Sequence, residues 1–131
     1  MAQLNWVESG ETNAGVTERG FAVERQGQTI PGVFWQPSAT GGRRPLVLMG
    51  HGGTGHKRNE RMKMLGRLFA GDFGWCAAAI DGPAHGDRGP VDDAERSNYR
   101  LMWQRPNIVQ SMADDWRATL DALCGLQEVD A

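Results

Sequence analysis

A chain of 131 residues, with 40% hydrophobic and 23% charged side chains, is of a size and composition to form one globular domain with its own core. A net charge of −2 gives no electrostatic basis for binding nucleic acid or an anionic membrane surface. No apolar run approaches the roughly 20 residues of a membrane span, and Met1–Gly10 lacks the basic-then-apolar pattern of a signal peptide, so the expectation is a cytoplasmic protein.

In chain order, residues 1–19 are polar and glycine-containing, and their weak pattern predicts an irregular N-terminal arm. Gly20–Arg25 alternates, with Phe21 and Val23 on one face, and reads as a half-buried strand. A turn at Gln26-Gly27-Gln28 leads to Thr29–Gln36, which carries Ile30, Val33, Phe34 and Trp35 before Pro37. The pair predicts a β-hairpin. After a Gly/Arg/Pro loop over Ser38–Pro45, Leu46-Val47-Leu48-Met49 is a continuous apolar run, as expected of a strand inside a parallel sheet and covered on both faces. Asn59–Ala70 carries Met62, Leu65, Leu68 and Phe69 at helical spacing, with Asn59 as N-cap and Gly71 as stop. Trp75–Ile80 is a second short apolar run, so strand, turn, helix and strand form a βαβ unit. A polar stretch over Gly86–Arg105 precedes a long amphipathic helix over Asn107–Cys124, marked by Ile108, Val109, Met112, Trp116, Leu120 and Leu123.

The turn Met49-Gly50-His51-Gly52-Gly53-Thr54-Gly55-His56-Lys57 carries most of the chemical information. Main-chain N–H groups between a strand end and a helix start bind negative charge, and glycines allow close approach there. Gly50-x-Gly52-x-x-Gly55 formally satisfies a dinucleotide fingerprint. However, Asp81 lies farther on than the roughly 20 residues expected of the ribose-binding acid, and two strands precede the turn where the fingerprint usually opens its domain. A phosphate-binding P-loop needs lysine directly after the second glycine and then a hydroxyl. Here His56 intervenes and Arg58 stands in the hydroxyl's place. His51, His56, His85 and Asp87 lack zinc spacing, and Cys76 and Cys124 sit in apolar stretches as core thiols, so no metal and no cofactor is expected.

A third chemistry, an oxyanion hole, fits the turn better, and here the sequence resembles the α/β-hydrolase superfamily, in particular its esterases and dienelactone hydrolases. The run Leu46–Gly55 looks like that family's oxyanion-loop strand and His-Gly-x loop. Ala78-Ala79-Ile80-Asp81-Gly82-Pro83-Ala84-His85-Gly86-Asp87-Arg88 looks like its next strand and the following Asp-x-Pro-x-His-Gly loop. The helix with Asp114, Asp115, Trp116 and Leu120 stands where the family places the helix leading to its nucleophile strand, and the likeness spans roughly residues 20–128. The resemblance implies a partial α/β-hydrolase fold in a single incomplete domain: an N-terminal β-hairpin, a βαβ unit and a long C-terminal helix, truncated before the nucleophile strand. It further implies that Gly53, with Thr54 as neighbour, supplies an oxyanion N–H. His51 and Gly52 shape the loop, and Tyr99 and Trp103, with Met102, border the mouth that takes a small ester or acyl substrate.

The family's G-x-S-x-G elbow is missing. Ser9, Ser38 and Ser97 lack strand–turn–helix context, Ser111 lies in a helical pattern with Val109 where a small residue belongs, and Cys124 fails likewise. Since the family's acid and histidine follow its nucleophile, Asp81, Asp87, His56 and His85 are read as loop-organising groups. The chain alone is accordingly expected to be inactive, and the Leu46–Met49 strand is expected to form an unpaired apolar edge prone to self-association. The competing readings are a non-catalytic binding or assembly module on a hydrolase scaffold and a nucleotide-binding protein using Gly50–Gly55.

Overall fold

A computed structural model describes residues 3–39, 41–53, 55–89 and 102–130. One mixed sheet contains β1 (Gln3–Trp6), β2 (Glu11–Asn13), β3 (Val16–Arg25), β4 (Gln28–Pro37), β5 (Leu46–Met49) and β6 (Cys76–Ile80). Its order is β1-β3-β4-β6-β5, with β2 also pairing β3. The β3–β4 hairpin expected from the sequence is present. It closes through Gln26 and Gly27, both at positive φ (49° and 76°), the two-residue turn that matches strand twist. β6 lies antiparallel to β4 and parallel to β5, so β5, the helix α1 (Glu60–Arg67) and β6 form the expected βαβ unit.

The irregular arm predicted for residues 1–19 is not what forms. β1 and β2 both pair antiparallel with β3, and β3 begins at Val16. Only Leu4 and Trp6 of β1 face the core, and all of β2 is exposed, so the local sequence shows too little alternation to betray either strand. Their order comes from the edge of β3. Ala14 (φ 50°) and Gly15 (φ 81°) make the reversal between β2 and β3.

Both faces of the sheet are covered. On one, Phe21, Val23, Ile30, Phe34, Cys76, Ala78 and Ile80 pack against Ala118 and Leu123 of α2 (Ile108–Cys124) and against Val129. On the other, Val16, Val33, Trp35, Met49, Ala77 and Ala79 pack against Met62 of α1 and Ala70. β6 is buried along its whole length, and its alanines let both layers approach closely. Gly66 of α1 lies against Trp35, where a Cβ would stand 2.3 Å from the ring. Asn59 caps α1 by accepting from the Met62 N–H at 2.9 Å. Beyond α1 a π-helical turn, Leu68–Asp72, carries the chain past Gly71, the predicted stop.

Two burial patterns differ from expectation. β5 is not covered on both faces: Leu48 is 37% exposed, because among the described residues β5 pairs only with β6 and forms the end of the sheet. In α2, Val109 (68%) and Leu120 (39%) are exposed, while Asp115 and Thr119 are buried. The Asp115 carboxylate is tolerated inside because Arg25 reaches it from β3 at 2.8 Å and Arg88 from the other side at 2.7 Å. Ser111 lies within α2, its hydroxyl 3.5 Å from the Arg25 guanidinium, and so forms no strand-to-helix elbow.

Candidate active site

Because β5 and β6 are parallel, the turns after Met49 and Ile80 leave the sheet at the same end, and two loops meet there. The glycine-rich turn is a tight reversal in which the Gly55 N–H donates to Gly52 O at 3.0 Å. His51 ties it to the second loop. Its Nε2 accepts the Gly82 N–H at 3.0 Å, so the ring proton resides on Nδ1, which donates to Gly52 O at 2.8 Å. Burial holds the His51 pKa below the ordinary histidine value, and the bond to the Gly52 carbonyl offsets only part of that shift.

These anchors constrain Gly53. A trans peptide places its N–H opposite its carbonyl, so two bonds fixing Gly52 O also fix the direction of the Gly53 N–H, away from the turn's interior. On the far side of the residue, Gly53 O lies 2.7 Å from His85 Nε2. Gly50, Gly52 and Gly53 face open space where a side chain would stand.

Below the turn lies a buried charge cluster. Asp81, fully buried at the end of β6, accepts from the Lys57 N–H at 2.9 Å, Lys57 Nζ at 2.7 Å and the Asp87 N–H at 3.0 Å. Lys57 Nζ also meets the Asp87 carboxylate at 2.7 Å, and this contact holds the Asp87 pKa below the usual carboxylate value. Lys57 is thereby committed to two carboxylates and is not presented to a phosphate. Gly86, at φ 53°, packs so closely on Asp81 that a Cβ there would stand 2.3 Å from the carboxylate. Arg58 reaches Glu8, which follows β1, and so holds the turn to the N-terminal strands.

Of the residues singled out in the sequence, His51 is half-buried at the junction of the loops, and Gly52 and Gly53 are exposed on its rim. Thr54 and Tyr99 lie outside the described residues. Trp103 is exposed, whereas neighbouring Met102 is buried. The loop-organising reading of Asp81, Asp87 and His85 matches their bonds. Lys57 was not foreseen. Its partner lies 24 residues on, and no local spacing rule connects them.

No protein-family model matches the chain, and no curated protein does. Solved structures do. A cold-adapted esterase from an Arctic intertidal metagenomic library is 36% identical and superimposes with a TM-score of 0.79 over 95% of this chain and 51% of its own. A dienelactone hydrolase-like promiscuous phosphotriesterase from metagenomic libraries is 27% identical, with a TM-score of 0.67 over 88% of this chain and 46% of its own. An acetyl xylan esterase from Paenibacillus sp. R4, 22% identical with a TM-score of 0.65, matches in fold over 99% of this chain and 43% of its own. The chain therefore has the esterase- and dienelactone-hydrolase-like form of the α/β-hydrolase fold, and it spans about half the length of the enzymes it matches. No helix among the described residues is long and apolar enough to cross a membrane.

Proposed function

We propose that this chain is the oxyanion-loop half of a serine hydrolase that cleaves an ester or related acyl bond. Serine attacks the acyl carbon, a histidine oriented by an acid takes the serine's proton, and the carbonyl oxygen gains charge as the tetrahedral intermediate forms. The Gly53 N–H, with Thr54 as neighbour, meets that oxygen. In this reading the nucleophile, base and acid come from outside these residues, which hold no G-x-S-x-G elbow. The observation that carries the reading is the anchoring of Gly53 through the peptide carbonyls on both sides of it, at the open end of β5. A donor held before the reaction needs no reorganisation in the transition state.

The open edge of β5 supports the same reading. The Arg44 N–H donates to Glu128 O and Arg44 O accepts from the Asp130 N–H, both at 2.9 Å, in a parallel bridge centred on Val129. Pro45 O turns the other way, to the Cys76 N–H of β6. By strand alternation, Leu46 and Leu48 face the same side as Arg44, so this edge is set to take a parallel neighbour. In the proposed enzyme that neighbour carries the nucleophile at its end, beside Gly53.

The test joins residues 1–131 to the part of the Arctic esterase that they do not span and measures p-nitrophenyl acetate hydrolysis. The fusion is expected to turn over and this chain alone is not. A folded fusion without turnover contradicts the proposal.

A further inference from the structure

We infer that His85 is a positioning residue for the oxyanion turn, acting by donating its Nε2–H to the Gly53 carbonyl; the inference rests on the proposed hydrolase reading. Gly53 has no side chain to lock it, and its neighbours Gly52 and Gly55 are equally free, so its backbone angles must be set by outside bonds. On its N-terminal side the Gly52 carbonyl is held by Gly55 and His51. On its C-terminal side its own carbonyl meets His85 at 2.7 Å. With one anchor on each side, rotation about Gly53 is blocked and its N–H points one way.

His85 suits this role. It is only 4% exposed, is carried by the loop after β6, and stands 4.9 Å from His51, ring centroid to ring centroid. Its Nδ1 lies 2.8 Å from Pro83 O within its own loop and its Nε2 2.7 Å from Gly53 O; both oxygens only accept, and the inference places the ring proton on Nε2, toward the turn. Its loop is itself bolted down, because Asp81 accepts from Asp87 and Lys57, and Arg88 bonds Asp81 O at 3.3 Å and Asp115 at 2.7 Å. The anchor on Gly53 is thus referred through His85 to the sheet and to α2. His51 and His85 divide the labour, the first fixing the peptide before Gly53 and the second the peptide after it.

Two measurements test this separately from the hydrolase reading. These 131 residues contain three histidines, so nitrogen-15 correlation spectra of the imidazoles resolve each one in this chain. His85 Nε2 is expected to carry a proton protected from exchange, and His85→Phe should shift the Gly52, Gly53 and Gly55 amide resonances; an unprotonated Nε2 overturns the inference whatever the enzyme does. In the fusion with the Arctic esterase, His85→Phe is expected to lower kcat about tenfold with KM unchanged, the loss expected of one mispositioned donor. His85→Gln, which keeps a side-chain N–H, should restore most of that loss. An active fusion in which His85→Phe leaves kcat unchanged refutes the positioning role alone. An inactive wild-type fusion with the expected spectra refutes the hydrolase reading alone.

Discussion

Substituting Asp81 by alanine tests how the two loops are held. The Asp81 carboxylate is fully buried and accepts three hydrogen bonds, two from Lys57 and one from the Asp87 backbone. Its removal leaves the Lys57 ammonium, with a side chain only 8% exposed, facing the mostly solvated Asp87 carboxylate alone. Breaking a buried ion pair by deleting one partner costs about 3–5 kcal/mol, because the other charge stays desolvated. With an unfolding entropy of about 2.1 cal/mol/K per residue, this corresponds to a Tm lowered by about 10–20 °C for a chain of this length. Lys57→Met strands the carboxylate in turn, while Lys57→Met with Asp81→Ala strands neither charge. The double variant should therefore be more stable than the sum of the singles predicts by about 2 kcal/mol. Urea denaturation followed by tryptophan fluorescence measures all three variants, since Trp35 is wholly buried. A cost below about 1 kcal/mol for Asp81→Ala, or additivity within about 0.5 kcal/mol, refutes the clamp.

Three other outcomes follow from the same contacts. Because the folded His51 pKa lies below its unfolded value of about 6.5, the unfolded chain takes up this proton first as pH falls. The His51 contribution to stability is thus complete above about pH 6.5 and is lost as pH falls through the lowered folded value; His51→Gln should flatten that part of a stability-against-pH curve, and an unchanged curve contradicts the assignment. Burial pushes the Cys76 thiol up to about 11, so at pH 8 Cys124 should react with a thiol reagent first and Cys76 only on unfolding, as peptide mass mapping would show. Leu48 of β5 exposes 37% of its surface, and the chain is expected to self-associate through the β5 edge. Leu48→Lys should shift size-exclusion elution toward monomer, and a wild-type chain already eluting as a stable monomer argues against this.

The sequence made legible the elements whose pattern is local. The hairpin, α1 with its Asn59 cap, the βαβ unit and α2 are written in alternation, helical spacing and capping chemistry over adjacent residues. The glycine-rich turn was equally plain, because few other chemistries need so many glycines between a strand and a helix. What stayed hidden depends on partners distant in sequence. β1 and β2 take their order from β3, and their own residues offer only Leu4 and Trp6 to the core. The buried stripe of α2 includes Asp115, which becomes acceptable inside only when Arg25 and Arg88 arrive from β3 and from the loop after β6. An apolar run such as Leu46–Met49 announces a strand but not which of its residues is covered, and Leu48 is exposed.

In the proposed hydrolase the Gly53 N–H is the donor on which transition-state stabilisation by this chain rests. Gly53 is not among the glycines held at positive φ, so proline is compatible with the sign of its backbone angle while removing the donor. In the fusion with the Arctic esterase, Gly53→Pro is expected to lower kcat for p-nitrophenyl acetate by about 100-fold with KM nearly unchanged, as loss of one oxyanion donor does. A folded Gly53→Pro fusion that retains full kcat would contradict the account.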